Sequence, residues 1–131
     1  MIDNRRRLGF TLIELMIAVV IIGLLAAIAV PRLAQAKGHT YVTAMISDLR
    51  NLSTHEESYF YDHAVYTSAL TDLQSQGFQA SPMVSIQIVE ATATGWSATA
   101  DHLLSNVQCG LFVGAAAPVG PATVEGAITC Q

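Results

Sequence analysis

Residues Gly9–Pro31 read GFTLIELMIAVVIIGLLAAIAVP, and this stretch decides how the rest of the chain is organised. Of the 21 residues Phe10–Val30, 18 are apolar, the exceptions being Thr11, Glu14 and Gly23. At about 1.5 Å per residue such a run forms a helix of roughly 31 Å, the thickness of one bilayer core. It accounts for a composition of 52% hydrophobic and only 12% charged residues in 131, against about 25% charged in an ordinary soluble domain. The remainder of the chain has an ordinary apolar content and is long enough for one small domain.

Charge orders the chain around that run. Six basic and ten acidic residues give a net charge of −4. Arg5, Arg6 and Arg7 stand directly before the run, which predicts a cytoplasmic N-terminus and places the remainder across the membrane. No Lys or Arg follows Arg50, so a nucleic-acid groove in the C-terminal half is not expected. A basic stretch before an apolar run also fits a secretory signal or a plain signal anchor. The run is long for a signal, however, and it ends in Val30-Pro31-Arg32, where Pro disfavours the usual cleavage.

A third reading fits more residues. The block Gly9-Phe10-Thr11-Leu12-Ile13-Glu14, with the apolar helix and Pro31 behind it, resembles the prepilin leader of type IV pilins and of the related type II secretion pseudopilins. The family pattern is a short basic leader ending in Gly, then Phe, then Glu as the fifth residue after the cut. The resemblance implies that a prepilin peptidase cleaves between Gly9 and Phe10, that Phe10 is then N-methylated, and that the subunit waits in the inner membrane. An assembly ATPase and platform protein then drive it into a helical homopolymer. Loss of the leader 1–9 leaves three basic and nine acidic residues.

Glu14 places a carboxylate inside an apolar helix, which is costly in lipid. It either snorkels or is protonated near the interface, or it pairs with the new amine of Phe10, in its own chain or in a neighbour. The family resemblance favours the neighbour. Pro31 lacks an N–H, so the helix is expected to bend or open there. With Gly23, a weak helix former, it marks a segment expected to lose helical structure when the subunit enters a filament.

Beyond the apolar segment 10–36, an amphipathic continuation is expected over 37–62. Val42, Met45, Ile46, Leu49 and Leu52 recur at spacings of three and four, with Tyr59 and Phe60 further along. Asp48, Arg50, Glu56 and Glu57 mostly fall off that stripe. A loop over 63–82 carries a short helix capped by Thr67 and ended by Gly77. From 83 to 131 the pattern becomes that of strands: Val84/Ile86/Ile88 against Ser85/Gln87/Val89, a turn at Thr94-Gly95, then Trp96/Ala98/Ala100 against Ser97/Thr99/Asp101. Cys109–Val113 is a third strand and Thr123–Cys130 a fourth, after a loop at Ala115–Pro121. The expected fold is α+β, a long N-terminal helix laid on an antiparallel sheet of three or four strands, as in pilins. Cys109 and Cys130, outside the cytoplasm, are expected to form a disulfide, as in the C-terminal loop of many pilins.

No catalytic constellation is apparent. His55-Glu56 begins a zinc-protease pattern, but the partner position holds Tyr59. His55 and His63 lie about 12 Å apart on a helix, too far to share one ion. No catalytic residue, cofactor or metal is expected. The expected function is a structural subunit, the major pilin, of a bacterial type IV pilus. The alternatives are a type II secretion pseudopilin and, less favoured, a membrane-anchored periplasmic binding domain. The pseudopilin alternative lacks acidic residues for its usual C-terminal calcium loop, because after Asp101 only Glu125 remains.

Overall fold

The computed structural model describes residues 9–131, so the leader arginines lie outside the described residues. The elements are α1 (Leu12–His63), α2 (Leu70–Ser75), β1 (Val84–Ala91), β2 (Gly95–His102), β3 (Gln108–Gly114) and β4 (Thr129–Cys130). The strands form one antiparallel sheet in the order β1-β2-β3-β4. The chain divides into two units, one up to Ala36 and one from Lys37 to Gln131.

In the first unit, helical backbone continues through Gly23 and Pro31 without an opening. Pro31 removes a single amide donor, and the helix-forming residues on both sides hold the remaining ladder. The large apolar side chains from Phe10 to Leu33 are 51–82% exposed, so the described residues of this unit form no hydrophobic core.

In the second unit, Met45, Leu49 and Leu52 of α1 are fully buried, at the four-and-three spacing of one helix face. They join Leu73, Phe78, Ile86, Trp96, Ala98 and Leu111 in one core. Ala98 and Ala100 on β2 leave room for the large side chains of α1 (an alternation of small and large that fills the layer between helix and sheet). The stripe is wider than the apolar pattern suggests. Asp48 and Glu56, expected off it, are 2% and 0% exposed. Both sit on the same face as Leu49 and Leu52, and each is held by a hydrogen bond from the loop that covers it.

β1 alternates as expected, with Ile86 buried and Ser85, Gln87 and Val89 exposed. A bulge between Ile88 and Glu90 then shifts the register. β2 departs from the expected half-buried strand, because Ser97 and Thr99 on its second face are also buried, at 1% and 6%. The cover is the C-terminal segment, whose Ala116 and Ala122 form a second small core with Phe112. This segment also corrects the fourth strand: only Thr129 and Cys130 pair with β3, not Thr123–Cys130. Gly120 and Gly126 adopt positive φ (53° and 72°), which turns the chain back over the sheet instead of along it. Gly126 donates to the Phe112 carbonyl at 2.9 Å, Gly114 to the Glu125 carboxylate at 2.8 Å and Ala117 to that of Glu90 at 3.0 Å.

Thr67 does not cap α2. The residue before that helix is Ala69, without a side-chain cap. Thr67 Oγ1 instead donates to Asp72 (2.8 Å) and accepts from the Ala69 amide (3.0 Å), bracing the loop that enters the helix.

Candidate functional site

The N-terminal site is built from Gly9, Phe10, Thr11 and Glu14. Gly9–Thr11 lie in non-helical backbone just before α1, and Phe10 is 82% exposed. Among the described residues, a Cβ built on Gly9 would meet nothing within 4 Å. Glu14 accepts from the Thr11 amide at 2.8 Å and from the Thr11 hydroxyl at 2.7 Å, while its own amide donates to Thr11 Oγ1 at 3.3 Å. This is a reciprocal capping box, which satisfies backbone donors that a helix start otherwise leaves open. The signal for it in the sequence is Thr-x-x-Glu before an apolar run, a role distinct from both the interfacial and the amine-pairing readings of Glu14. In the uncleaved chain the carboxylate thus has a local partner, which holds it at the first turn of α1.

Gly23 and Pro31 lie within the exposed apolar helix, away from this cap. Cys109 and Cys130 are joined by a disulfide, opposite each other in the β3–β4 pairing and 21 residues apart. Gln131 and Gln108 exchange two backbone hydrogen bonds at 3.0 Å beside it, tying down the C-terminal end.

Sequence reasoning missed two buried carboxylates. Asp48 accepts from the amide (2.8 Å) and hydroxyl (2.9 Å) of Ser81, fastening α1 to the end of the loop that joins α1 to β1. Glu56 accepts from the Thr67 amide at 3.1 Å, fastening the same helix to the start of that loop. Its Oε1 is buried without a partner. Burial pushes the Glu56 carboxyl up to about 7, the Thr67 amide opposes this, and the neighbouring Glu57 charge adds to it. The available signal was the spacing 45, 48, 49, 52, 56, a single helix face that includes both acids. Of the aromatic side chains at the end of α1 and just beyond it, Phe60 and Tyr66 stack at 4.6 Å, whereas Tyr61 is 90% exposed. Among the described residues no group of three His, Cys, Asp or Glu side chains is placed to hold a metal ion.

The sequence is similar to known proteins. Residues 4–30 match the family described as "Prokaryotic N-terminal methylation motif". The chain is 36% identical over 99 residues to the "Type IV wide pilus major component PilA4" of Thermus thermophilus, covering 75% of this chain and 76% of that protein. It is 42% identical over 79 residues to a "Fimbrial protein" of Pseudomonas aeruginosa and 34% identical over 73 residues to the "Type II secretion system core protein G" of the same species. The chain spans about half the length of each of these two, at 51%.

A methylation motif leading a long helix, apolar at first and then seated on a four-stranded antiparallel sheet, is the architecture of the pilin fold. The chain belongs to the family of type IV pilins and pseudopilins.

Proposed function

We propose that the chain is the major structural subunit of a bacterial type IV pilus. It is held in the inner membrane by α1, with its N-terminus in the cytoplasm and its head outside. A prepilin peptidase cuts between Gly9 and Phe10, Phe10 is N-methylated, and an assembly ATPase and platform pass the subunit into the filament.

The observation that carries this reading is the first unit itself. It is an apolar helix exposed along its whole length, and lipid first and neighbouring copies afterwards supply what it lacks. An 18-residue window of α1 is long and apolar enough to cross a membrane, with none of it buried. Glu14 then acts at assembly. Once cleavage frees the Phe10 amine, its carboxylate is a counter-charge on the first turn, within reach of a cation that water no longer screens. Gly23 and Pro31 bound the segment that loses helical structure on packing. The disulfide closes the C-terminal segment of a head that meets the outside medium.

Identity to a core protein G also supports a pseudopilin reading. The longer match to a wide-pilus component favours the pilus. Electron microscopy of sheared surface filaments, with intact mass of their main component, tests the proposal. The expected subunit starts at Phe10 and carries one N-terminal methyl group. An uncleaved Met1 in the membrane and no filament would exclude it.

A further inference from the structure

Eight of the nine acidic side chains among the described residues accept hydrogen bonds from their own chain, at 2.7–3.1 Å. The ninth, Asp62, is exposed in the last turn of α1 and has no side-chain partner among the described residues. Beside it stands Tyr61, 90% exposed, the most exposed aromatic ring in the head. Together they form a knob that carries one negative charge and one bare ring.

The head also carries an unanswered cation. Arg50 is exposed and makes no ion pair among the described residues. It lines an open groove of about 580 Å³ between α1 and the C-terminal end of the sheet. Ile46, Leu111, Val113 and Ile128 supply its apolar side. No Lys or Arg follows Arg50 in the chain, so the head beyond it has no other permanent cation to offer Asp62.

The two features cannot meet within one copy. Twelve residues separate them on one helix, a rise of about 18 Å and a rotation of about 120°. They therefore occupy different flanks of the head at different heights. A knob and a groove so placed join copies head to tail by a rotation and a shift along the helix axis. Such heterologous contacts propagate as an open helical array and do not close into a two-fold dimer.

We infer that the Tyr61–Asp62 knob of one copy docks into the Arg50 groove of the next. The Asp62 carboxylate meets the Arg50 guanidinium, and the Tyr61 ring covers the apolar side of the groove. This contact rests on the filament reading and specifies which flanks of the head face one another in it. The Coulombic match selects partner and register, while the ring excludes water from the pair.

The test is charge exchange in the full-length chain expressed in its own cells. Arg50→Glu and Asp62→Arg are each expected to lower the yield of sheared filaments at least about tenfold, because each sets like charges opposite each other in an interface. The membrane pool and the melting temperature of the head are expected to stay at wild-type values, which separates lost docking from lost folding. The double variant Arg50→Glu/Asp62→Arg is expected to recover filaments to within about threefold of wild type. Wild-type yields from both single variants would overturn the contact, as would a double variant that folds but is not rescued. Rescue of Asp62→Arg by Lys37→Glu in place of Arg50→Glu would overturn the assignment to Arg50. Absence of filaments in the wild type would instead overturn the filament reading, and this contact with it.

Discussion

The two units share one helix and use it in opposite ways. Up to Ala36, α1 shows large apolar side chains on every side and buries none of them fully. From Lys37 on, it is amphipathic and buries Met45, Asp48, Leu49, Leu52 and Glu56 against its own sheet and loop. The first half is apolar all round, which suits lipid or a polymer core, and the second presents one stripe, which suits a single packed layer. One chain can therefore carry a folded head at all times while leaving the stability of its stem to its surroundings.

The sharpest way to break this comparison is at Glu14. Glu14→Ala is expected to leave membrane insertion intact and abolish filaments, measured as normal membrane-fraction levels with no sheared pili. Normal pili from that variant would reduce Glu14 to a helix cap. A second experiment sets the halves side by side. Leu49→Ala is expected to destabilise the head by about 2–5 kcal/mol, because it leaves a cavity in a closed core. Leu25→Ala, in the exposed half, is expected to leave the head's denaturant midpoint unchanged. Equal shifts in the two variants would mean that the units fold as one.

Next in size is the disulfide. Cys109→Ser/Cys130→Ser is expected to cost about 3 kcal/mol in thermal or chemical unfolding, since the bond closes a loop of 21 residues in the unfolded chain. The smallest effect is a pH dependence confined to the head. The folded head keeps the Glu56 carboxyl protonated up to about pH 7, whereas the unfolded chain releases that proton at the ordinary value near 4.5. This contribution to stability is fully present below about 4.5, is lost as pH rises towards about 7, and stays lost above. Glu56→Gln keeps an acceptor for the Thr67 amide and is expected to flatten the slope of melting temperature against pH across that window. An unchanged slope would assign it to other groups.

Much of this arrangement is legible in the residues. The apolar run marks the stem, spacings of three and four mark the packed half of α1, and period-two alternation marks β1. The Thr94-Gly95 turn is where the structure places it, with the Thr92 amide donating to the Gly95 carbonyl at 2.9 Å. What escaped has a common cause. Asp48 and Glu56 look like solvent-facing charges because their partners, Ser81 and the Thr67 amide, come from the loop beyond the helix and two of the three donors are backbone amides. The second face of β2 looks exposed because its cover comes from residues 115–127, whose Gly and Pro content announces a loop but not where that loop lands. The capping role of Glu14 is visible as a Thr-x-x-Glu spacing, but the cost of a carboxylate in an apolar helix points first to the interface or to a counter-charge.

Local chemistry by itself determined the stem, the helix, the strand order of events along the chain and the supply of two cysteines, because these depend on neighbours within a few residues. Tertiary structure alone decided which charges are answered within the chain, which face of the sheet is covered, and that Arg50 and Asp62 remain exposed on different flanks. Those outcomes depend on contacts between segments tens of residues apart, and no local pattern encodes where such segments meet.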